Sequence, residues 1–473
     1  MVFSSYLFLF YFLPLALLLY YAAPTRARHL ILTLLSYLFY GWANPLFVVL
    51  LLGSTTIDYA AGLVMDADRR AGGPTSKSRA AVIVSICSNL SLLGFFKYYN
   101  FGAQNIDALA QWMGLPSLGL DAALRVTLPL GISFYTFQSM SYTIDVHRGR
   151  ATPIRSFIDF ACFVSLFPQL VAGPIIRFTE IADQLRVRTH TVEKFARGIA
   201  FLCLGLGKKV LLANPCGKIA DLAFDAGSLA PLDAWYGVTA YAFQIYFDFS
   251  GYSDMAIGLG LMLGFVFPKN FDSPYRAQSI TEFWHRWHIS LSTWLRDYLY
   301  LPLGGNRRGT VRTYINLFIV MLLGGLWHGA AWNFVAWGAL HGLLLAGERL
   351  RGKAALYGRL PAGARMAVTF VIVLVTWVFF RSPDLTAAIR YLGDMAAVGT
   401  VQPGAPLLSG IVYAPYYLGT FALSAGIVWL GPQTWDWTKT LTPPKAVAVL
   451  AVLVLAVIVL TTQAYNPFIY FIF

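Results

Sequence analysis

The sequence predicts an all-α polytopic membrane protein with about 11 to 12 transmembrane helices, and three observations support this prediction. Hydrophobic residues make up 58% of the chain and charged residues only 12%, and the mean hydropathy is +0.62. Ordinary soluble domains contain about 25% charged residues. Several apolar runs reach the roughly 20 residues that a helix needs to cross the hydrocarbon core. The net charge of +13 is explained by basic loops on the cytoplasmic side, so no nucleic-acid partner is predicted.

The four cysteines exclude two other classes of protein. Cys87, Cys162, Cys203 and Cys216 form no CxxC pair, and three of them lie in apolar runs. They are typical of small core residues, so the sequence predicts neither a disulfide framework nor a metal site.

The first third of the chain alternates between apolar segments and loops of opposite charge character. Residues 26–29 and 66–79 are basic and are predicted to be cytoplasmic, whereas residues 105–124 contain no Lys or Arg and are predicted to be external. No cleavage site of small residues follows the first apolar segment, which is therefore predicted to be retained. The predicted apolar segments are residues 6–21, 30–40, 45–64 and 80–96.

The middle of the chain is irregular. Residues 164–174 are apolar but contain Pro168, Gly173 and Pro174, and basic residues lie on both sides of them. A re-entrant or broken segment accounts for this pattern, and such backbone needs protein or a water-filled cavity around it. Residues 235–265 are too long for one straight crossing, and they contain Asp248 and Asp254 at membrane depth.

The remainder alternates between one long cytoplasm-facing stretch and further crossings. Charge density rises over residues 268–312, and residues 348–365 form a basic inner loop. The last predicted crossings lie near residues 368–380, 411–430 and 447–460. Because the chain shows no internal repeat, no linker and no separate soluble domain, residues 1–473 are predicted to form a single integral membrane domain.

A histidine interrupts one of the apolar stretches. His328 lies in the run Leu326-Trp327-His328-Gly329-Ala330, and the flanking residues 315–326 and 331–345 are uncharged. Ionisable side chains within a membrane are functional candidates, and the proton of histidine moves most easily near neutral pH. The alternative is a helix-packing histidine bonded to a neighbouring carbonyl.

A second group of chemically active residues lies in the cytoplasm-facing stretch. Residues 283–300 are predicted to form one amphipathic helix, with Arg286, Ser290, Thr293 and Asp297 on its polar face. An interfacial helix explains most of this pattern but not a histidine on the apolar face. The predicted apolar face consists of Trp284, Trp287, His288, Leu291, Leu295, Tyr298 and Leu299.

A glycine-rich basic loop follows this helix at residues 302–309. Exposed amides and guanidinium groups suit phosphate, which makes Arg307 and Arg308 candidates for binding the phosphates of an acyl donor. The same loop is also compatible with a plain cytoplasmic turn.

Four motifs together resemble the membrane-bound O-acyltransferase (MBOAT) family, in particular the branch of the bacterial alginate O-acetylation membrane proteins. One motif spans residues 284–305 and a second spans residues 325–332. The most specific part is the run Trp287-His288-Ile289-Ser290-Leu291-Ser292-Thr293-Trp294-Leu295-Arg296-Asp297-Tyr298 in the first motif. The others span residues 128–138 and 246–254. The resemblance covers essentially the whole chain, with a motif core at about residues 128–345.

The resemblance implies a helix bundle that is thinned into a central funnel or tunnel with both histidines near its narrow point. His328 corresponds to the catalytic histidine of the family and His288 to the second signature histidine, while no family role is assigned to His285. The tunnel is expected to be lined by Trp327, Asp248, Asp254, Asn333 and Trp287.

The implied reaction is acetyl transfer from a cytoplasmic thioester, acetyl-CoA, to a hydroxyl group on the far side of the membrane. His328 has the pKa range of a general base, and a covalent acyl-histidine is the alternative route. His288 is expected to orient the donor or to stabilise the oxyanion. No GxSxG nucleophile elbow accompanies these histidines, and no permanently bound cofactor is expected.

The implied acceptor is an exopolysaccharide such as alginate or cellulose, reached through a periplasmic SGNH-type partner from the bacterial inner membrane. A multi-pass transporter or channel with an intramembrane His/Asp pathway is the main alternative, and a scaffold for polysaccharide export is a third. The cytoplasmic helix and basic loop favour the acyltransferase, because a coenzyme donor needs them and a simple pore does not.

Overall fold

The computed structural model describes residues 1–71, 73, 75–352, 355–398, 410–463 and 465–467. These residues form helices and connecting loops without a strand, and the protein is an all-α polytopic membrane protein, as predicted. By contact density the chain divides into two compact units. Unit 1 comprises Met1–Phe195 with Leu259–Pro268, and unit 2 comprises Ala196–Gly258 with the described part of Lys269–Phe473. The single integral membrane domain stays a prediction.

The helices are numbered in chain order. They are α1 (Leu13–Ala22), α2 (Arg28–Gly41), α3 (Leu46–Arg70), α4 (Ser76–Trp112), α5 (Leu120–Ala123), α6 (Ile132–His147), α7 (Phe157–Ser165), α8 (Phe167–Leu170), α9 (Phe178–Arg186), α10 (Val192–Gly207), α11 (Asn214–Asp225), α12 (Pro231–Met262), α13 (Ile280–Arg286), α14 (Ile289–Leu295), α15 (Thr310–His328), α16 (Trp332–Leu350), α17 (Ala362–Arg381), α18 (Leu385–Met395), α19 (Pro415–Leu430), α20 (Thr434–Trp437) and α21 (Pro443–Thr462). Wider π-helical turns occupy Leu7–Phe12, Lys208–Ala213 and Arg296–Tyr300, and 3₁₀ turns occupy Thr25–Ala27 and Pro274–Arg276.

Within the described residues, five helices are long and apolar enough to cross a membrane: α3, α4, α15, α17 and α21. The predicted total of about 11 to 12 crossings stays a prediction. One boundary differs from the sequence-based expectation. Helix α4 continues to Trp112 and so includes the first part of the predicted external loop. Asn105 is accommodated there because its side-chain amide donates to the carbonyl of Phe101 at 2.7 Å.

Unit 1 contains a buried carboxylate that is hydrogen-bonded to side chains of neighbouring helices. The carboxylate of Asp58 on α3 accepts hydrogen bonds from Ser85 and Asn89 on α4 and from Ser139 on α6, which ties three helices together. The predicted break within residues 164–174 is confirmed, because α7 ends at Ser165 and only the four-residue α8 follows. The residues of this break are buried, as irregular backbone at membrane depth requires.

Helix α12 differs from the expectation that residues 235–265 cannot form one straight crossing. It is a continuous helix of 32 residues, Pro231–Met262. Nearly all residues from Val238 to Met262 are buried, so protein rather than lipid surrounds the helix and the thickness of the hydrocarbon core does not limit its length.

Helices α15 and α16 of unit 2 form a close antiparallel pair. At Gly325 and Gly338, a Cβ atom on either helix would overlap backbone atoms of the other. Small residues permit such close approach of helices in membranes. This pair fixes the position of His328, which is the last residue of α15.

Candidate active site

The prediction that residues 283–300 form one continuous amphipathic helix is wrong. The structure has α13, a break at Trp287 and His288, α14 and then the π-helical turn. His288 has φ +44°, a left-handed conformation that costs a residue with a Cβ roughly 1–3 kcal/mol and is often found at functional sites. The break exists because Asn270 supplies the caps of α14. Its backbone carbonyl accepts from Ile289 N at 2.9 Å, and its side-chain Oδ1 accepts from Ser290 N at 3.1 Å.

The break also changes which residues are buried. Ser290, predicted on the polar face, is buried together with Trp287, His288 and Leu291. A continuous helix would have placed Ser290 opposite these side chains, but the turn at His288 resets the helical register. The predicted burial of Trp287, His288 and Leu291 agrees with the structure.

Helix α13 is held at its beginning by an acidic residue from α16. The buried carboxylate of Glu348 accepts from the backbone N–H groups of Ile280 and Thr281, each at 2.8 Å, and from Thr281 Oγ1 at 2.7 Å. Carboxylates are favourable at helix N-termini because they satisfy unpaired N–H groups. Glu348 therefore fixes the orientation of α13, which carries Trp284 and His285.

His328 is buried in an aromatic surrounding. Its ring centroid lies 4.9 Å from Trp327, 5.3 Å from Trp337 and 5.0 Å from Phe380. A Cβ on the following Gly329 would overlap the ring of Phe334, which explains in steric terms why glycine follows the histidine.

A cavity of about 430 Å³ connects His328 with exposed side chains of the same unit. Its lining includes the buried residues His328 and Trp337 and the exposed residues His285, Arg296 and Asn306. Its volume lies in the range of small-molecule sites, which are mostly apolar with a few convergent polar groups. The arrangement is suited to an elongated ligand whose reactive end reaches His328.

His288 lies beside this region without lining the cavity. It is fully buried, and its ring centroid lies 4.6 Å from that of Phe249 and 6.2 Å from that of Trp327. His328 also contacts the ring of Trp327. Its Nδ1 is 3.2 Å from Asn270 Oδ1. Burial lowers the pKa of His288 to about 3, so the imidazole is neutral near pH 7.

The predicted tunnel carboxylates are each paired with a lysine. Asp248 lies 2.9 Å from Lys209 Nζ, with both groups buried, and Asp254 lies 2.6 Å from Lys208 Nζ. Neither carboxylate lines the cavity of His328. Asp254 lines a separate small polar cavity together with Asn270.

The structure does not bring the remaining predicted residues to the cavity lining either. Asn333 is buried and donates to the carbonyls of Phe379 and Ser382 at 3.1 and 2.7 Å, so it joins α16 to the end of α17. Trp287 is buried against other aromatic rings. Arg307 and Arg308 are exposed and do not belong to the cavity lining.

Sequence reasoning missed several residues of this region. His285, Arg296 and Arg349 line the cavity, while Asn270 and Glu348 hold its helices. Lys208 and Lys209 were also missed, although two carboxylates at membrane depth require cations nearby. This requirement could have identified the adjacent lysines in the apolar run around residues 201–213.

Comparison with known proteins adds an independent line of evidence. Residues 150–380 match the family model for MBOAT, the membrane-bound O-acyltransferase family. The chain is 44% identical to a Pseudomonas putida protein named probable alginate O-acetylase AlgI, over 493 residues and 100% of both chains. It is 49% identical to the Pseudomonas aeruginosa protein of that name over 402 residues, 85% of this chain and 76% of the other. A Helicobacter pylori protein named peptidoglycan O-acetyltransferase is 37% identical over 437 residues, 85% of this chain and 81% of the other.

Proposed function

Because the chain belongs to the membrane-bound O-acyltransferase family, in its alginate O-acetylation branch, and is an O-acetyltransferase, we propose a specific reaction for it. An acetyl group moves from acetyl-CoA on the cytoplasmic side of the bacterial inner membrane to a hydroxyl group on the periplasmic side. The observation that carries this proposal is the cavity that extends from exposed polar residues to the buried ring of His328.

His328 is the general base of the proposed reaction. The acceptor hydroxyl attacks the thioester carbonyl carbon while the imidazole takes its proton, so a C–O bond forms. The C–S bond then breaks, and the proton passes from the imidazolium to the leaving thiolate. One histidine is sufficient for both proton transfers, and the aromatic residues around it limit competition from water.

The exposed end of the cavity is the proposed site for the phosphates of the donor. Arg349 and Arg296 line the cavity, and guanidinium groups bind phosphate through charge-assisted hydrogen bonds. These two residues therefore take precedence over Arg307 and Arg308 in the proposal, since the latter lie outside the lining.

The proposed acceptor is a polysaccharide, reached through a periplasmic SGNH-type partner. The names of the relatives support an acyl acceptor of this class, since they refer to alginate and to peptidoglycan. Alginate and cellulose are the first candidates to be tested. The transporter alternative is disfavoured because the chain belongs to an acyltransferase family.

The activity test uses the purified protein in lipid vesicles with acetyl-CoA labelled in its acetyl group. Oligosaccharides of alginate, cellulose and peptidoglycan are supplied as acceptors, with and without a co-purified periplasmic partner. We expect free thiol and labelled ester to form in equal amounts. Thiol release without ester formation, or no reaction with any donor thioester, would contradict the proposal.

The sidedness of the site is tested by labelling. Cys87 is exposed, so it is first replaced by serine, and single cysteines are then placed at Asn306 and Ser117, which are both exposed. A membrane-impermeant thiol reagent on intact cells should label position 117 and not position 306. The reverse pattern would place the donor end of the cavity on the wrong side.

A further inference from the structure

Three polar groups lie within hydrogen-bond distance of the side-chain oxygen of Asn270. Its Oδ1 lies 3.1 Å from Ser290 N, 2.8 Å from Ser290 Oγ and 3.2 Å from His288 Nδ1. Asn270, His288 and Ser290 are all buried, so water does not compete for these contacts. In the absence of solvent, each contact must pair a donor with an acceptor.

The orientation of the Asn270 amide follows from the backbone of Ser290. A backbone N–H group can only donate, so the Asn270 atom that faces it must be the carbonyl oxygen. The flipped amide would place two donors against each other. The same assignment lets Ser290 Oγ donate to Oδ1 at 2.8 Å. Asn270 also lines the small polar cavity, together with Ser250, Ser253 and Asp254.

The protonation of His288 follows from the orientation of Asn270. An amide oxygen only accepts, so His288 Nδ1 must carry a proton to approach it at 3.2 Å. Without that proton, two lone pairs would face each other in a buried site. Ser290 Oγ lies 3.4 Å from the same Nδ1, and because its own proton is directed at Asn270, it can share the Nδ1 proton as a second acceptor.

We infer that Asn270 is a positioning residue that holds His288 in the tautomer with the proton on Nδ1 and a free lone pair on Nε2. The hydrogen bond of one ring nitrogen decides what the other nitrogen does. His288 Nε2 is buried and has no hydrogen-bond partner among the described residues. A buried polar atom of this kind requires an explanation, and a hydroxyl group that donates to it during the reaction provides one.

This tautomer changes the role of His288. A neutral imidazole with its proton on Nδ1 accepts a hydrogen bond at Nε2 and cannot donate one there, so His288 does not stabilise an oxyanion through Nε2. It instead accepts from a water molecule or from a second hydroxyl group of the acceptor, while the attacking hydroxyl donates its proton to His328. This step from tautomer to role rests on the proposed acetyl transfer, whereas the tautomer itself does not.

The tautomer is measured directly by ¹⁵N nuclear magnetic resonance of the histidine-labelled full-length protein in lipid bilayers. The chain has seven histidines, and the signals of His288 are those absent from the His288→Gln variant. At neutral pH we expect a protonated Nδ1 and an unprotonated Nε2. A protonated Nε2 in the unmodified protein would overturn the inference, whether or not the protein transfers acetyl groups.

Two variants of Asn270 separate positioning from packing. Asn270→Asp keeps an acceptor oxygen beside Nδ1, whereas Asn270→Leu removes it at similar volume. We expect the leucine variant to acquire the Nε2–H tautomer and to lose roughly 10²-fold in kcat with an unchanged KM for the donor, the size of effect that a misplaced reacting group produces. The aspartate variant should retain the tautomer and most of the activity.

The outcomes are distinguishable. A leucine variant with the altered tautomer and normal kcat would contradict the role assigned to His288. A correct tautomer in a protein that transfers no acetyl group would contradict only the proposed function. If the leucine variant does not fold, the inference is still tested by the spectra of the unmodified protein and of Asn270→Asp. Loss of the Nδ1–H tautomer in Asn270→Asp would contradict the inference.

Discussion

Two buried histidines of unit 2 differ in how many of their ring nitrogens have a hydrogen-bond partner. His341 on α16 accepts at Nδ1 from Trp284 Nε1 at 3.2 Å, and its Nε2 lies 3.2 Å from Thr376 Oγ1. The indole N–H only donates, so the Nε2 proton of His341 goes to Thr376. His288 is equally buried among aromatic rings, yet only its Nδ1 has a partner in the described structure.

This difference motivates the proposed roles, in which His341 stabilises packing and His288 takes part in the reaction. Burial and aromatic neighbours are common to both residues, and neither property predicts function. The proposed distinction is therefore the remaining hydrogen-bonding capacity of the ring, because a satisfied polar network stabilises packing whereas a ring nitrogen without a partner is available to a substrate. His328 and His288 both have ring contacts with Trp327, and His328 also lines the cavity.

The largest effect is expected for His328→Ala. Removal of a general base typically lowers the rate by about 10²–10⁴-fold, while the cavity and the helix pair α15 and α16 remain. The measurement is single-turnover acetyl transfer by the purified variant, with thermal unfolding as the control for folding. A variant that retains near-normal transfer would remove His328 from the catalytic role.

The second prediction tests the two compared histidines directly. His288→Ala should lower kcat by roughly 10²-fold with little change in unfolding temperature. His341→Ala should leave Trp284 Nε1 without a partner, which costs about 1–3 kcal/mol of stability, and should retain most of the activity at a temperature where it is folded. Equal losses of activity in the two variants would show that the comparison does not separate structure from function.

A smaller effect is expected for His285→Ala. The sequence assigns no role to His285. The structure places it in the lining with His328. We now expect a roughly tenfold rise in the KM for acetyl-CoA, the size of one hydrogen bond to a charged group, with kcat maintained. A fall in kcat as large as that of His288→Ala would mean that the choice between these two histidines is wrong.

The last comparison concerns two arginines, one in the cavity lining and one outside it. Arg349→Ala should raise the KM for acetyl-CoA by roughly tenfold or more, because a charge-assisted hydrogen bond contributes about 1.5–3 kcal/mol. Arg307→Ala is the matched control and should change it by about twofold or less, as an exposed charge outside the lining. Both variants are also assayed with acetylpantetheine as donor. Because this donor lacks the nucleotide phosphates, the difference in KM between the two variants should disappear. A larger effect of Arg307→Ala would restore the loop at residues 302–309 as the phosphate site.

The fold class and the two principal histidines could be predicted from sequence because they depend on local signals. Apolar runs, basic loops and the motif around His328 are contiguous in the chain. The break after Ser165 could also be predicted, since Pro168 interrupts an apolar run. These features need no knowledge of which helices are neighbours.

The details that define the site depend on contacts between distant residues. The helix over residues 283–300 has good helical periodicity, and nothing within it indicates a break. The break arises from Asn270, 18 residues earlier than His288, and the orientation of α13 depends on Glu348, 68 residues beyond Ile280. Hydrophobic periodicity cannot detect such partners, so the sequence misassigned Ser290 and left His285 without a role.

The most direct measurement is a structure of the protein in lipid with an unreactive analogue of acetyl-CoA in which a methylene group replaces the thioester sulfur. We expect its carbonyl carbon within about 4 Å of a ring nitrogen of His328, in keeping with near-attack geometry. Its phosphates should lie beside Arg349 at the exposed end of the cavity. A coenzyme bound elsewhere, or one whose carbonyl does not reach His328, would contradict the assignment of this cavity as the site of acetyl transfer.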